Sequence, residues 1–339
     1  MYVIGTDPHK GSHTAAVLDS GEELREELRV DAGRCQRDQL LAFAAPFEPR
    51  TWAIEAATGW GALLAQQLVA AGEAVLDVPP ALSARARLLD TGSNSKTDRY
   101  DARSAAIVAL RHRRLHAVRP VDHAAVLRLL ANRHRDLVAL RTQAICRLHA
   151  LICLLIAGGR PRGLSATAAG AALRKVRVTD PVDIERKAMA SDLLADVRRL
   201  DNQIKALKER ITTAVAIADT TVTDVYGVGP IGAAILIGHS GDIGRFPSGG
   251  HYARYNATAP IEASSGPRTR HRLNPRGNRQ LNHALHMAAV TQVRNDTPGR
   301  AYYLRKQAES KSRKEALRAL KRRISDAVYR QLVTDSHRR

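Results

Sequence analysis

The chain has 339 residues, 44% of them hydrophobic, enough to bury the cores of two or three domains of roughly 100–200 residues each. Its 53 Lys and Arg against 33 Asp and Glu give a net charge of +20, which favours nucleic acid over an anionic membrane as a partner. The three cysteines form no CxxC pair, which argues against a disulfide framework or a zinc knuckle. No apolar run approaches the roughly 18 residues of a spanning helix, and the N-terminus lacks a basic signal-peptide region. We therefore expect a cytoplasmic, nucleoid-associated protein with no membrane partner.

The first third of the chain predicts a mixed α/β layer. Strand-like segments cover residues 2–6, 14–19 and 24–30, followed by a helix over 32–45 and a buried strand over 51–55. A second helix over 59–71, a strand over 74–78 and a helix over 98–111 complete the set. Three strands followed by alternating helices and strands match the order of a ribonuclease H-like domain, which we place at residues 1–120.

Residues 121–218 have a different sequence pattern. Leucines and isoleucines recur at spacings of three to five on both sides of a break at Gly158–Pro161, which predicts an antiparallel hairpin of two long helices. Such a hairpin is either a coiled coil that dimerises the protein or a helical subdomain packed within one chain.

Residues 219–339 predict a mainly helical, basic domain. It opens with Gly227 and Gly229 before an apolar helix, an arrangement similar to a helix-hairpin-helix clamp on a nucleic-acid backbone, although a turn that requires two glycines fits equally well. Its last helix has an apolar stripe from Leu317 to Leu332, with Lys and Arg on the other face.

Charge is segregated along the chain. Residues 1–101 contain 10 Lys and Arg against 15 Asp and Glu, whereas residues 268–339 contain 19 against 5. This separation predicts two tasks, cation binding by carboxylates near the start and phosphate binding near the end.

Four carboxylates are candidates for a metal site. Asp7 ends the first strand and Glu55 ends the fourth, and in a ribonuclease H-like sheet these strands are neighbours. Asp98 and Asp101 are three residues apart, on one face of the following helix. Converging carboxylates favour a hard cation such as Mg²⁺, and two such ions can clamp a phosphoryl transfer. Individually, each acid can also be a helix or turn cap.

Three sequence blocks around these acids resemble the DEDD transposases of bacterial insertion sequences, the bridge-RNA-guided serine recombinases with a RuvC-like N-terminal domain. The blocks are Ile4–Asp7, Ile54–Gly59 and Lys96–Arg103, of which the last is the most specific. Further matches in the last third are Gly227–Pro230, Ala259–Gly266 and Arg276–Leu281. The resemblance covers nearly the whole chain, but the middle helices match the family only in their general helical character and not in a sequence motif.

The resemblance implies a DNA transposase that cuts and rejoins strands through a covalent serine–DNA intermediate. It assigns Asp7, Glu55, Asp98 and Asp101 to Mg²⁺, with Mn²⁺ as an alternative, and it assigns the nucleophile to Ser265, with Ser264 as the fallback. It also implies a bridge RNA, DNA of the element ends and target, and homodimers that assemble into homotetramers. Without that resemblance, Ser264-Ser265-Gly266 is a polar turn.

Basic residues of the last third are candidates for contacts with DNA or RNA, and the sequence does not separate the two roles. These candidates are Arg268, Arg270, Arg272, Arg276, Arg279, Lys314, Lys321 and Arg322.

Three other interpretations are ranked below the transposase. The first is a metal-dependent nuclease, similar to a Holliday-junction resolvase, in which water is the nucleophile. The second is a phosphotransferase of the same fold, which lacks support because no glycine-rich nucleotide loop is present. The third is a non-catalytic nucleic-acid scaffold.

Overall fold

A computed structural model describes residues 1–91, 97–159, 163–262 and 271–338. The chain divides into two compact units, Met1–Val121 and Asp122–Arg339. The domain boundaries expected from the sequence, after residues 120 and 218, stay predictions.

The first unit is built on a six-stranded sheet. Its strands are β1 (Tyr2–Pro8), β2 (Ser12–Leu18), β3 (Leu24–Asp31), β4 (Arg50–Glu55), β5 (Val75–Val78) and β6 (His116–Ala117). The order across the sheet is β3-β2-β1-β4-β5-β6. Strands β1, β2 and β3 are antiparallel, and β4 runs parallel to both β1 and β5. The predicted mixed layer and the adjacency of the first and fourth strands are therefore confirmed.

Helices cover both faces of this sheet. They are α1 (Gln36–Ala44), α2 (Ala62–Ala70), α3 (Pro80–Thr91) and α4 (Asp98–Arg111). Because side chains alternate along a strand, Ile4 and Ile54 point to one face, in a core that includes Leu40 and Leu64 of α1 and α2. Val3 and Ala53 point to the other face, in a core that includes alanines of α4.

Helix α3 and strand β6 were not predicted. Pro79-Pro80 reads as a stop signal after β5, but Pro80 is the first residue of α3, where proline has no hydrogen bond to lose and its φ already suits a helix. Strand β6 has only two residues, too few for a recognisable pattern. Helix α1 also begins later than expected, at Gln36 rather than residue 32.

Helix α4 approaches β1 closely at Gly5. A Cβ atom at this position would lie 1.9 Å from the carbonyl oxygen of Ala102 and 2.9 Å from the Cβ of Ala106. Only glycine in the strand and small residues on the helix allow this distance. The start of α4 is thereby held against the carboxyl end of β1.

The second unit is almost entirely helical. Its helices are α5 (His123–Leu155), α6 (Ala166–Lys175), α7 (Pro181–Ile217), α8 (Pro230–Ser240), α9 (Gly249–Tyr255), α10 (Arg279–Arg294), α11 (Pro298–Ala308) and α12 (Arg313–His337). Two short strands, β7 (Ile261–Glu262) and β8 (His271–Arg272), pair antiparallel. The turn before α8 needs glycine at residue 227, where φ is +86° and a Cβ would lie 2.8 Å from the carbonyl oxygen of Ala288.

The predicted hairpin of long helices is present, and its apolar stripe lies in the core of the second unit. Leu127, Leu137 and Leu148 of α5 share this core with Leu200 and Ile211 of α7. This burial is the packing expected of a helical subdomain within one chain. Helix α6 was missed because its buried face consists of Ala169, Gly170, Ala172 and Leu173, of which only Leu173 has a large apolar side chain.

Contrary to the sequence expectation, the described residues include one helix, α5, that is long and apolar enough to cross a membrane by length and composition alone. A single helix of this kind is weak evidence, since core helices pass the same test.

Candidate functional site

Two carboxylates lie at the same end of the central strands. The parallel register pairs Thr6 of β1 with Ile54 of β4, so the next residues, Asp7 and Glu55, lie level at the carboxyl ends of the two strands. Both follow the alternation of Val3 and Ala53, which places them on the face covered by α4. The pairing of β1 with β4 thus places two acids side by side, on the same face of the sheet and at the carboxyl ends of the strands.

The first turn of α4 brings the other two acids to this face. Asp98 is the first residue of the helix and Asp101 lies one turn later. The side chain of Thr97 caps the helix by accepting a hydrogen bond of 3.4 Å from the backbone N–H of Tyr100. A helix N-terminus favours negative charge, so the start of α4 reduces the electrostatic repulsion between Asp7 and the carboxylates of the helix.

His9 connects Asp7 with Asp98. Its Nε2 lies 3.0 Å from Oδ2 of Asp7 and 3.3 Å from Oδ1 of Asp98. One ligand atom from each of the three residues lies within 4.8 Å of the others. The structure therefore brings together two of the four predicted acids, with an imidazole between them.

Asp101 has a different partner. Its carboxylate is 4% exposed and forms an ion pair with the guanidinium of Arg87, a residue of α3. The arginine supplies positive charge to a carboxylate that the sequence assigns to a metal ion. The metal roles of Asp101 and of Glu55 stay predictions.

The donor set fits a divalent cation. Carboxylate oxygens are the ligands preferred by Mg²⁺, and an imidazole nitrogen beside them extends the set toward transition metals such as Mn²⁺. Asp7 and Asp98 would hold the ion, with His9 as a third ligand. Arg29, whose Nη1 lies 3.9 Å from Oδ2 of Asp98, adds positive charge at the rim.

A groove of about 730 Å³ opens beside Asp98. Its lining includes three arginines, Arg29, Arg99 and Arg103, which outnumber its two acids, Glu27 and Asp98. Arginine is suited to phosphate because its guanidinium can donate two parallel hydrogen bonds. The groove is therefore a suitable entry for a polyanion to the carboxylates.

Strands β7 and β8 are joined by residues 263–270, which contain Ser264, Ser265, Arg268 and Arg270 and lie outside the described residues. Beside β7 is a groove of about 910 Å³, whose lining includes Arg245, Arg254 and Arg276, together with Glu262 of that strand.

The other predicted basic residues differ in their surroundings. Arg272, Arg276, Arg279 and Lys314 are exposed, whereas Lys321 and Arg322 are half-buried. Arg322 is held by Asp326, 3.1 Å away, and by the backbone oxygen of Gly249. Burial, with Arg279 and Arg318 nearby, lowers the pKa of Lys321 to about 8.

His9 and Arg87 were not identified from the sequence. His9 follows Asp7 by two residues, so its position in an Asp-x-His run at a strand end was an available signal. Nothing in the sequence connects Arg87 with Asp101, because their contact depends on α3, a helix that the sequence did not predict.

Among solved structures, two of the Thermus thermophilus protein RuvC are similar to this chain. One is RuvC in complex with a Holliday junction substrate, with 18% identity, a TM-score of 0.28, and coverage of 35% of this chain and 99% of RuvC. The other is a structure of Thermus thermophilus RuvC, with 18% identity, a TM-score of 0.27, and coverage of 35% of this chain and 100% of RuvC.

Relatives by sequence come from insertion elements. An uncharacterized 44.8 kDa protein of insertion element IS116 from Streptomyces clavuligerus is 30% identical, over 97% of this chain and 94% of its own length. An uncharacterized 42 kDa protein of IS900 from Mycobacterium paratuberculosis is 28% identical over the same shares. Residues 4–155 match the DEDD transposase domain of the IS110 type, and residues 219–304 match the IS116/IS110/IS902 transposase family. The chain belongs to the IS110 family of DEDD transposases.

Proposed function

We propose that this transposase cuts and rejoins DNA through a Mg²⁺-dependent centre at Asp7, Glu55, Asp98 and Asp101, with Ser265 as the nucleophile. The observation that carries the proposal is the register of β1 and β4, which sets Asp7 and Glu55 level on the sheet face that α4 covers. The contact of His9 with both Asp7 and Asp98 supports a cation-binding role for this edge.

In the proposed reaction, the Ser265 hydroxyl oxygen forms a bond to the phosphorus of a DNA phosphodiester. The bond from phosphorus to one strand oxygen breaks, and that strand leaves as a hydroxyl that carries the proton lost by the serine. The phosphoserine link conserves the energy of the phosphodiester bond, so a second DNA hydroxyl can reverse the step and rejoin strands.

A divalent cation at the carboxylates would supply positive charge to the phosphate oxygens and activate the attacking hydroxyl. Asp7 and Asp98 would hold it through their carboxylates, with His9 beside them. Arg29, Arg99 and Arg103 would bind neighbouring phosphates along the groove.

Partners and location follow from the family resemblance. We propose that a bridge RNA supplies sequence specificity, that the chain acts as a homodimer assembling into a homotetramer, and that it works in the cytoplasm at the nucleoid. Sequencing the RNA that co-purifies from cells carrying the native flanking DNA tests the guide. One discrete species from beside the gene supports it, whereas heterogeneous RNA released by salt contradicts it.

The nucleophile is tested by Ser265→Ala, with Ser264→Ala as the matched control. We expect Ser265→Ala to bind DNA normally but to form no SDS-resistant protein–DNA adduct, while Ser264→Ala keeps adduct formation. An adduct formed by Ser265→Ala and lost in Ser264→Ala would move the nucleophile to Ser264. Strand cutting by both variants without any adduct would favour the alternative, a nuclease in which water attacks.

That alternative has one observation in its favour. Asp7, His9 and Asp98 lie together within the first unit, Met1–Val121, and water activation by a bound cation would need no side chain from outside that unit. Mixing Asp7→Asn chains with Ser265→Ala chains tests the assembly. Recovery of activity in the mixture supports a site shared between protomers, and its absence contradicts that arrangement.

A further inference from the structure

Three cations meet between α10 and α12. Lys321 of α12 is half-buried, and Arg279 of α10 and Arg318 of α12 both act on its ammonium group. We call Arg279, Arg318 and Lys321 the Lys321 cluster. Like charges that act on one another raise the free energy of the folded chain, and an anion bound among them lowers it.

In the described part of the chain no ion pair joins Arg279, Arg318 or Lys321 to a carboxylate, although the charge of Glu315, on the same helix, acts on Arg318. In the described residues, the cations of α11 and α12 that form ion pairs are Arg305, Lys306 and Arg322. The cluster differs in this respect from Arg322, one residue along the helix, whose charge is balanced by Asp326. The charges of Lys321 and Arg279 are therefore left to be balanced by a bound anion or by ions from solvent.

The ammonium group of Lys321 is held in place. Its Nζ donates a hydrogen bond of 2.7 Å to Oδ1 of Asn282. The amide nitrogen of Asn282 donates to the backbone oxygens of Asn256 and Ala257, at 2.9 and 3.2 Å. Both the oxygen and the nitrogen of the Asn282 amide are thus hydrogen-bonded, which fixes the position of the Lys321 ammonium group. Because the Asn282 amide is neutral, the positive charge of Lys321 stays available to a ligand.

A pocket of about 280 Å³ adjoins the cluster. Its lining combines Lys321, Arg318 and Arg322 with Thr258 and Asn274. Cations and neutral hydrogen-bonding groups without an acid match the oxygens of a phosphate group, whereas a carboxylate in the lining would repel one.

We propose that the Lys321 cluster is a binding site for a backbone phosphodiester of nucleic acid, with Lys321 as its central contact. The inference rests on the proposed nucleic-acid substrate but is independent of the serine chemistry. A bound phosphodiester carries one negative charge, so it offsets part of the positive charge of the cluster and supplies hydrogen-bond acceptors to the half-buried ammonium group. The site requires a protonated lysine, and the groups that act on this lysine are Arg279 and Arg318, with His286 of α10 also nearby.

The test measures binding of the full chain to labelled oligo-dA and oligo-rA strands of about 12 nucleotides, which carry no titrating base near neutral pH. We expect Lys321→Met to weaken binding about 10-fold at low salt and to reduce the salt slope by about 1. Lys205→Met, which removes an exposed lysine of α7, is the matched control and should leave the affinity within about 2-fold.

A pH series provides the second arm. Wild-type affinity should fall between about pH 7 and about pH 9.5 as Lys321 loses its proton, whereas Lys321→Arg, which stays charged, should keep its affinity. Loss with oligo-dA alone assigns the site to DNA, loss with oligo-rA alone assigns it to RNA, and loss with both assigns it to the shared phosphodiester. Equal affinities for Lys321→Met and Lys205→Met on both strands would overturn the proposal. Because no strand is cut, this result is separate from the outcome of the Ser265 experiment.

Discussion

The guanidinium of Arg87 and the carboxylate of Asp101 form a largely buried ion pair between α3 and α4, with 16% and 6% of the side chains exposed. An arginine paired with a carboxylate competes with any cation that would bind the same carboxylate. If Asp101 is a metal ligand, as proposed, Arg87 holds it in place while no cation does so.

We predict that Arg87→Gln lowers the thermal stability of the metal-free chain, since loss of one partner of a buried ion pair costs about 3–5 kcal/mol. Added Mg²⁺ or Mn²⁺ should then raise the melting temperature of the variant more than that of the wild type, because Asp101 is released for the cation. Arg85→Gln, at an exposed position of the same helix, is the control. Equal metal-induced shifts in all three proteins would show that Asp101 does not contact the ion.

His9 should influence which metal ion binds. Its imidazole lies between Asp7 and Asp98, and imidazole is a better ligand for Mn²⁺ than for Mg²⁺. We expect His9→Asn to reduce Mn²⁺ affinity by about 10-fold and Mg²⁺ affinity less, as measured by calorimetry on the chain without DNA. A larger effect on Mg²⁺ than on Mn²⁺ would contradict a ligand role for the ring.

The acids and most strands could be predicted from the sequence because their signals are local. Asp7 and Glu55 each end an apolar strand, and the spacing of Asp98 and Asp101 fixes their common helix face. The contact of Arg87 with Asp101 could not be predicted, since it depends on the tertiary packing of α3 on α4. The position of His9 between two acids likewise depends on the distance between β1 and α4. That distance cannot be predicted from local sequence patterns.

The separation of β1 from α4 leads to a prediction at Gly5. Gly5→Ala would place a methyl group 1.9 Å from the carbonyl oxygen of Ala102, so α4 must move away and carry Asp98 with it. We expect a loss of stability of about 1–3 kcal/mol and weaker metal binding. Gly11→Ala is the control, because a Cβ there has no neighbour within 4 Å in the described residues. Unchanged metal affinity in Gly5→Ala would mean that the site tolerates movement of the helix.

Lys321 should also affect stability as a function of pH. Its pKa is lowered from 10.5 to about 8 by burial, with Arg279 and Arg318 contributing. Between these values the unfolded chain binds more protons at this residue than the folded chain, so its contribution to stability rises with pH. The contribution is complete above pH 10.5 and is lost as the pH falls through about 8.

The difference in unfolding free energy between wild type and Lys321→Met isolates this contribution. We expect Lys321→Met to be the more stable protein near neutral pH and to lose that advantage as the pH rises toward 10.5. Chemical denaturation across this range, with Lys205→Met alongside, measures it. A difference that does not change with pH would show that Lys321 keeps its ordinary titration.

The excess of positive charge between α10 and α12 has a consequence for the amount of protein in the cell. A chain whose fold is strained by its own cations becomes more stable when a polyanion binds, by the linkage between binding and folding. Copies made in excess of their nucleic acid would unfold more often and be removed first by proteases. The steady-state level of this transposase would then follow the supply of its nucleic-acid partner, without any dedicated regulator.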